Sequence, residues 1–96
     1  MLDINKELNG TSLLVKLTGR LDLETSQTFD AEIVENLGGI DELKLDCNAL
    51  EYISSAGLRE LLKCAKKVDN FAVVNASDMV KEALTMTDFD KIFPCS

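Results

Sequence analysis

The chain contains no histidine. That removes the usual general base at neutral pH, and it excludes Ser-His and Cys-His nucleophile arrangements. Cysteine is sparse: Cys47, Cys64 and Cys95 are far apart, odd in number and form no CxxC pair. Without imidazole, a zinc site would need these thiols plus carboxylates, so no metal is expected. The thiols read instead as small, reduced, structural side chains in a reducing, cytoplasmic compartment. There is no GxxxxGK[ST] phosphate loop, and no cofactor or catalytic activity is expected. No apolar run approaches the roughly 20 residues of a membrane span. The start, Met1 to Lys6, has no basic segment leading into an apolar stretch, so a signal peptide is not expected. Positive charge is also in short supply, with 10 Lys+Arg against 17 Asp+Glu and a net charge of -7. Such a surface disfavours nucleic acid and anionic lipid, and better suits a positively charged protein partner.

What remains is the composition of a globular domain. Hydrophobic residues make up 46% of 96 positions, enough for one modest core. No repeat, linker or low-complexity tract divides the chain, so residues 1–96 are read as a single domain and, by default, a monomer.

Residues 2 to 18 read as a β-hairpin. Leu2 and Ile4 alternate with polar residues, and Asn9-Gly10 is a strong signal for a two-residue type I′ turn. Leu13, Val15 and Leu17 then give the second strand an apolar face. Thr18 to Asp22 breaks the alternation. Phe29, Ile33, Val34 and Leu37 predict a helix from about Glu24 to Leu37, ended by Gly38-Gly39. Leu43 to Cys47 is a short strand, and Leu50 to Ser54 a connection. Leu58, Leu61, Leu62 and Ala65 form the apolar stripe of a second helix, which leaves Arg59, Glu60, Lys63, Lys66 and Lys67 to solvent. Phe71 to Val74 reads as a strand buried on both faces. Ser77 caps a third helix carrying Val80, Ala83 and Leu84, and Lys91 to Phe93 forms a short last element stopped by Pro94. The order β-β-α-β-α-β-α predicts an α/β fold. Its sheet is mixed, an N-terminal antiparallel hairpin plus parallel strands joined by right-handed crossovers, with helices packed on it.

One segment stands apart. Ser54-Ser55-Ala56-Gly57 lies where the central strand and its loop lead into the second helix, and its small residues leave the backbone open to close approach. Unpaired N–H groups and the helix dipole there favour a phosphate, and a phosphoserine would bring roughly -1.5 to -2 charges. The same residues also fit plain helix capping, by either Ser54 or Ser55. From the residues alone, Asp22 reads as a cap of the first helix and Asp46 as a loop-facing strand end.

Three motifs, spread over nearly the whole chain, resemble the STAS domain of bacterial anti-sigma-factor antagonists. Thr18-Gly19-Arg20-Leu21-Asp22 matches the family's Thr-Gly-x-Leu-Asp. Ser54-Ser55-Ala56-Gly57-Leu58 matches its Asp-Ser-Ser-Gly-Leu. Met86 to Phe93 is similar to its late segment. Ser54 stands where the family often has aspartate, Ala56 where it has a second serine, and Asp88 where it often has glycine.

The resemblance implies a STAS fold and a phosphoacceptor at Ser55, with Ser54 as the alternative. Asp22, Asp46, Ser54, Ala56 and Gly57 would lie near that site. It also implies partner switching: the unphosphorylated protein binds an anti-sigma factor and releases the sigma factor. The anti-sigma factor, an ATP-dependent serine kinase, then phosphorylates the serine, and a phosphatase resets it. The alternative within the family is a scaffold in a stress-signalling or lipid-transport complex.

Overall fold

The computed structural model describes residues 1–95. Its order is β1 (Leu2–Asn9), β2 (Ser12–Leu21), α1 (Leu23–Glu32), β3 (Glu42–Ile53), α2 (Ser55–Lys67), β4 (Asn70–Val74) and α3 (Asp78–Met86), with 3₁₀ turns at Val34–Asn36 and Phe89–Lys91. The strands form one sheet in the order β1-β2-β3-β4. β1 and β2 pair antiparallel, and β3 and β4 join in parallel, as the alternation of strands and helices predicts. No helix among the described residues is long and apolar enough to cross a membrane.

The period-2 pattern decides which face is covered. Val15, Leu17 and Leu21 of β2, Leu43, Leu45, Leu50 and Ile53 of β3, and Phe71 and Val73 of β4 are all buried. They meet Phe29 and Ile33 of α1, Leu61 and Cys64 of α2, and Val80 and Leu84 of α3 in one cluster. On the other face Lys16, Thr18, Arg20 and Lys44 are exposed. There the Arg20 guanidinium lies 4.5 Å above the ring of its cross-strand partner Tyr52. β4 is an edge strand with Ala72 and Val74 half-buried, not a strand buried on both faces. Its outer edge is met by the C-terminal segment, where the Val73 N–H donates to the Pro94 carbonyl at 2.9 Å.

Several elements differ from the sequence reading. The hairpin turn is Gly10-Thr11, because Asn9 still pairs with Ser12. Only Gly10 has a positive φ there, the pattern of a type II′ rather than a type I′ turn. α1 stops at Glu32, and Val34–Asn36 continue as a 3₁₀ turn before Gly39 reverses the chain at φ 84°. β3 extends through Leu50 to Ile53 instead of ending at Cys47. Irregularities opposite Lys16–Thr18 and Gly19–Arg20 insert extra β3 residues, so Leu50 and Ile53 both face inward at a spacing of three.

Glu60 is buried, not solvent-facing. Lys63 Nζ sits 2.9 Å from both Glu60 Oε1 and Asp30 Oδ2, tying α2 to α1. Burial raises the Glu60 carboxyl above its ordinary value, while the Lys63 ammonium lowers that of Asp30. Glu60 Oε2 is buried without a hydrogen-bond partner. Cys47 and Cys64 are buried, and desolvation pushes each thiol up to about 12.

Candidate functional site

The entrance of α2 is assembled by the end of β2. The Ser54 N–H donates to the Leu21 carbonyl at 2.9 Å, which joins the last residue of β2 to the residue that opens α2. Ser54 has extended backbone angles, and its hydroxyl accepts from the Gly57 N–H at 3.1 Å. Ser54 is therefore the N-cap. Ser55 is the first helical residue and is exposed. Ala56 is half-buried and Gly57 buried.

Gly57 is small for a reason the sequence did not reveal. A Cβ there would lie 2.8 Å from the Leu21 carbonyl oxygen and 2.9 Å from Ile53 Cγ1. The close approach that glycine allows comes from the chain's own β2, not from another molecule. Leu21 is thus a positioning residue of the entrance, and its apolar side chain gave no hint of this.

The two aspartates have separate environments. Asp22 directly follows Leu21, so it belongs to the same end of the sheet as Ser54 and Gly57. Its carboxylate caps α1, accepting from the Thr25 N–H at 2.9 Å and the Thr25 hydroxyl at 3.0 Å, while the Asp22 N–H donates to Thr25 Oγ1 at 2.8 Å. The Thr25 N–H, and then its hydroxyl, hold this carboxyl below its ordinary value. Asp46 is elsewhere. It pairs with Lys16 and lies within β3, not at a strand end. The Lys16-to-Leu21 stretch of β2 that runs alongside separates it from Ile53 by about 17 Å of strand. Its carboxylate accepts from the Asn48 N–H at 2.9 Å and from Asn75 Nδ2 at 3.3 Å. The β3 irregularities explain the difference, because they extend the strand past the point where the alternation ends.

Beside Ser55 runs an apolar groove of about 230 Å³, lined by Ser55, Leu58, Arg59, Leu62, Thr87 and Phe89. Thr87 and Phe89 come from the late segment Met86–Phe93, in which Asp88 adopts the left-handed conformation at φ 60°. Arg59, read from sequence as merely solvent-facing, shares this groove. Its spacing of four from Ser55 was the available signal, since residues i and i+4 share a helix face. A larger cleft of about 340 Å³ lies at the opposite end of the sheet, by Glu42, Phe71 and Pro94. Of the motif residues it contains only Ile92 and Phe93 of the late segment, and none from the α2 entrance.

The sequence match is with the STAS domain, over residues 3–96. The chain belongs to the STAS family. No curated protein matches this STAS chain in sequence. Among solved structures it is similar to an anti-sigma factor antagonist from Mycobacterium paratuberculosis, with a TM-score of 0.80 and 22% identity, covering 99% of this chain and 85% of that one. It is similar to the Bacillus cell-fate determinant SpoIIAA in its phosphorylated form, with a TM-score of 0.77 and 14% identity over 98% and 91% of the two chains. It also resembles unphosphorylated SpoIIAA, an anti-sigma factor antagonist, with a TM-score of 0.73 and 15% identity over 88% and 83%. At these identities the likeness shows that this STAS chain has their fold.

Proposed function

We propose that this STAS chain is an anti-sigma-factor antagonist that phosphorylation of Ser55 switches off. The observation that carries the reading is the division of labour at the α2 entrance: the Ser54 hydroxyl is engaged as the cap, and the neighbouring Ser55 is exposed. The similarity to a protein known in phosphorylated and unphosphorylated forms supports it.

In this reading the chain is the substrate and ligand of its partner, not a catalyst. The Ser55 hydroxyl oxygen attacks the γ-phosphorus of ATP held by the anti-sigma factor kinase. The bond to ADP breaks, and the hydroxyl proton leaves to a base on the kinase. The product sits at a helix N-terminus, where the partial positive charge favours an anion, so the fold is retained. What changes is the surface: on a protein of net charge -7, the face around Ser55 gains roughly 1.5 to 2 negative charges, and the partner is expelled. A phosphatase restores the binding form. Asp22 positions the neighbouring end of β2 through its cap on α1. Asp46 takes no part.

The test is phosphorylation with the cognate anti-sigma factor and labelled ATP. Ser55→Ala should bind the partner and take up no label. Uptake equal to wild type overturns the assignment, and label found on Ser54 corrects it by one residue.

A further inference from the structure

We infer that Arg59 is the counter-ion of phosphorylated Ser55, so that phosphorylation adds a charge to this surface and also withdraws a cation from it. The inference deepens the Ser55 reading and rests on it. Ser55 and Arg59 are one helical turn apart, and both line the same groove. Helical Cα–Cβ bonds tilt toward the N-terminus. The Arg59 side chain therefore leans over the turn that holds Ser55. In that orientation, with the acid N-terminal to the base, i,i+4 pairs are favourable.

Of the other cations on α2 and the facing segment, Lys66 lies about 16 Å along the helix from Ser55, and the rest are occupied. Lys63 bridges Asp30 and Glu60, Lys67 Nζ donates to the Val34 carbonyl at 3.3 Å, and on the facing segment Lys91 lies 3.6 Å from Asp88. Among the described residues Arg59 makes no ion pair. A guanidinium offers a planar fork of donors that suits phosphate oxygens in pairs, and the apolar walls from Leu58, Leu62 and Phe89 support its stem. In the unphosphorylated protein the same cation is free to meet a carboxylate of the partner. In the phosphorylated protein it is engaged within its own helix.

The test uses the full chain with phosphoserine installed at position 55 during synthesis, so it requires no kinase. The second phosphate ionisation, near pH 6 for a free phosphoserine, is followed by phosphorus NMR at low ionic strength. An exposed pair of this kind should hold it about 0.15–0.4 unit lower in wild type than in Arg59→Gln, a change of roughly 1.4- to 2.3-fold in the proton equilibrium. Arg59→Lys should keep part of the shift, and Lys66→Gln all of it. Salt should erase the difference. Equal ionisation in wild type and Arg59→Gln overturns the pairing. Phosphopeptide mapping of the protein from cells reads the Ser55 assignment independently, so the two failures are distinguishable.

Discussion

Gly57→Ala sets helix propensity against packing. Alanine in a helix is better than glycine by at most about 1 kcal/mol, and by less in the first turn. Against this stands a Cβ placed 2.8 Å from the Leu21 carbonyl oxygen and 2.9 Å from Leu21 Cγ and Ile53 Cγ1. The two side chains can yield. The carbonyl cannot yield easily, because it also accepts the Ser54 N–H at 2.9 Å. Overpacking of this kind costs about 1–3 kcal/mol, and a backbone obstacle puts it in the upper part of that range. The net expectation is a loss of about 1–2 kcal/mol, or a melting temperature lower by about 5–15 °C for a domain of this size. Gly38 is the control: a Cβ there meets nothing within 4 Å and its φ is not left-handed. Gly38→Ala should therefore gain about 0.4–1 kcal/mol through the unfolded chain. Urea denaturation followed by far-UV circular dichroism measures both. A Gly57→Ala protein as stable as wild type, or more stable, would refute the claim that β2 determines where α2 begins.

Ser54→Ala removes the cap bond to Gly57 and should cost about 1 kcal/mol in the same assay, whereas Ser55→Ala should stay within about 0.5 kcal/mol; equal losses would contradict the assignment of Ser54 as the cap. Glu60 gives a pH test. Its folded carboxyl binds a proton more tightly than the unfolded chain does, because burial raises it above 4.5. Its contribution to stability therefore falls as pH rises through that value toward the raised one. Stability of wild type relative to Glu60→Gln should decline as pH rises through and above 4.5, and a rise there would refute the burial argument.

The antiparallel hairpin, the parallel later strands and the inward-facing residues were legible because Val15-Leu17 and Leu43-Leu45 alternate cleanly, and the helix stripe through Leu58 and Leu61 has no competing pattern. The far half of β3 was not legible. Two irregularities put Leu50 and Ile53 three apart, a spacing that no strand template contains. Glu60 was misread because a glutamate between apolar stripes looks solvated until Lys63 and Asp30 close over it. At the site, both serines suit a helix entrance by composition, and their different jobs depend on which hydroxyl reaches the Gly57 N–H. Asp22 carries its cap signal in the sequence, through Thr25 three residues on. Leu21 is marked only as a member of the Thr18–Asp22 motif, which gives no sign of its part at the entrance, because that part is played by a carbonyl that every residue has.

The parallel pairing of β2 with β3 separates the molecule into a working end and a spare end. Both strands start beside the Gly10-Thr11 turn, where the Thr11 carbonyl accepts from Asp41 and Glu42, and both finish at Ser54. The ten residues of β2 place about 30 Å between those ends. The exposed Gly38-Gly39 corner lies toward the start, with open space around it. That corner is the natural splice point for a fluorophore or a fused domain, since an insertion there lengthens a surface connection and leaves the serine-bearing end untouched.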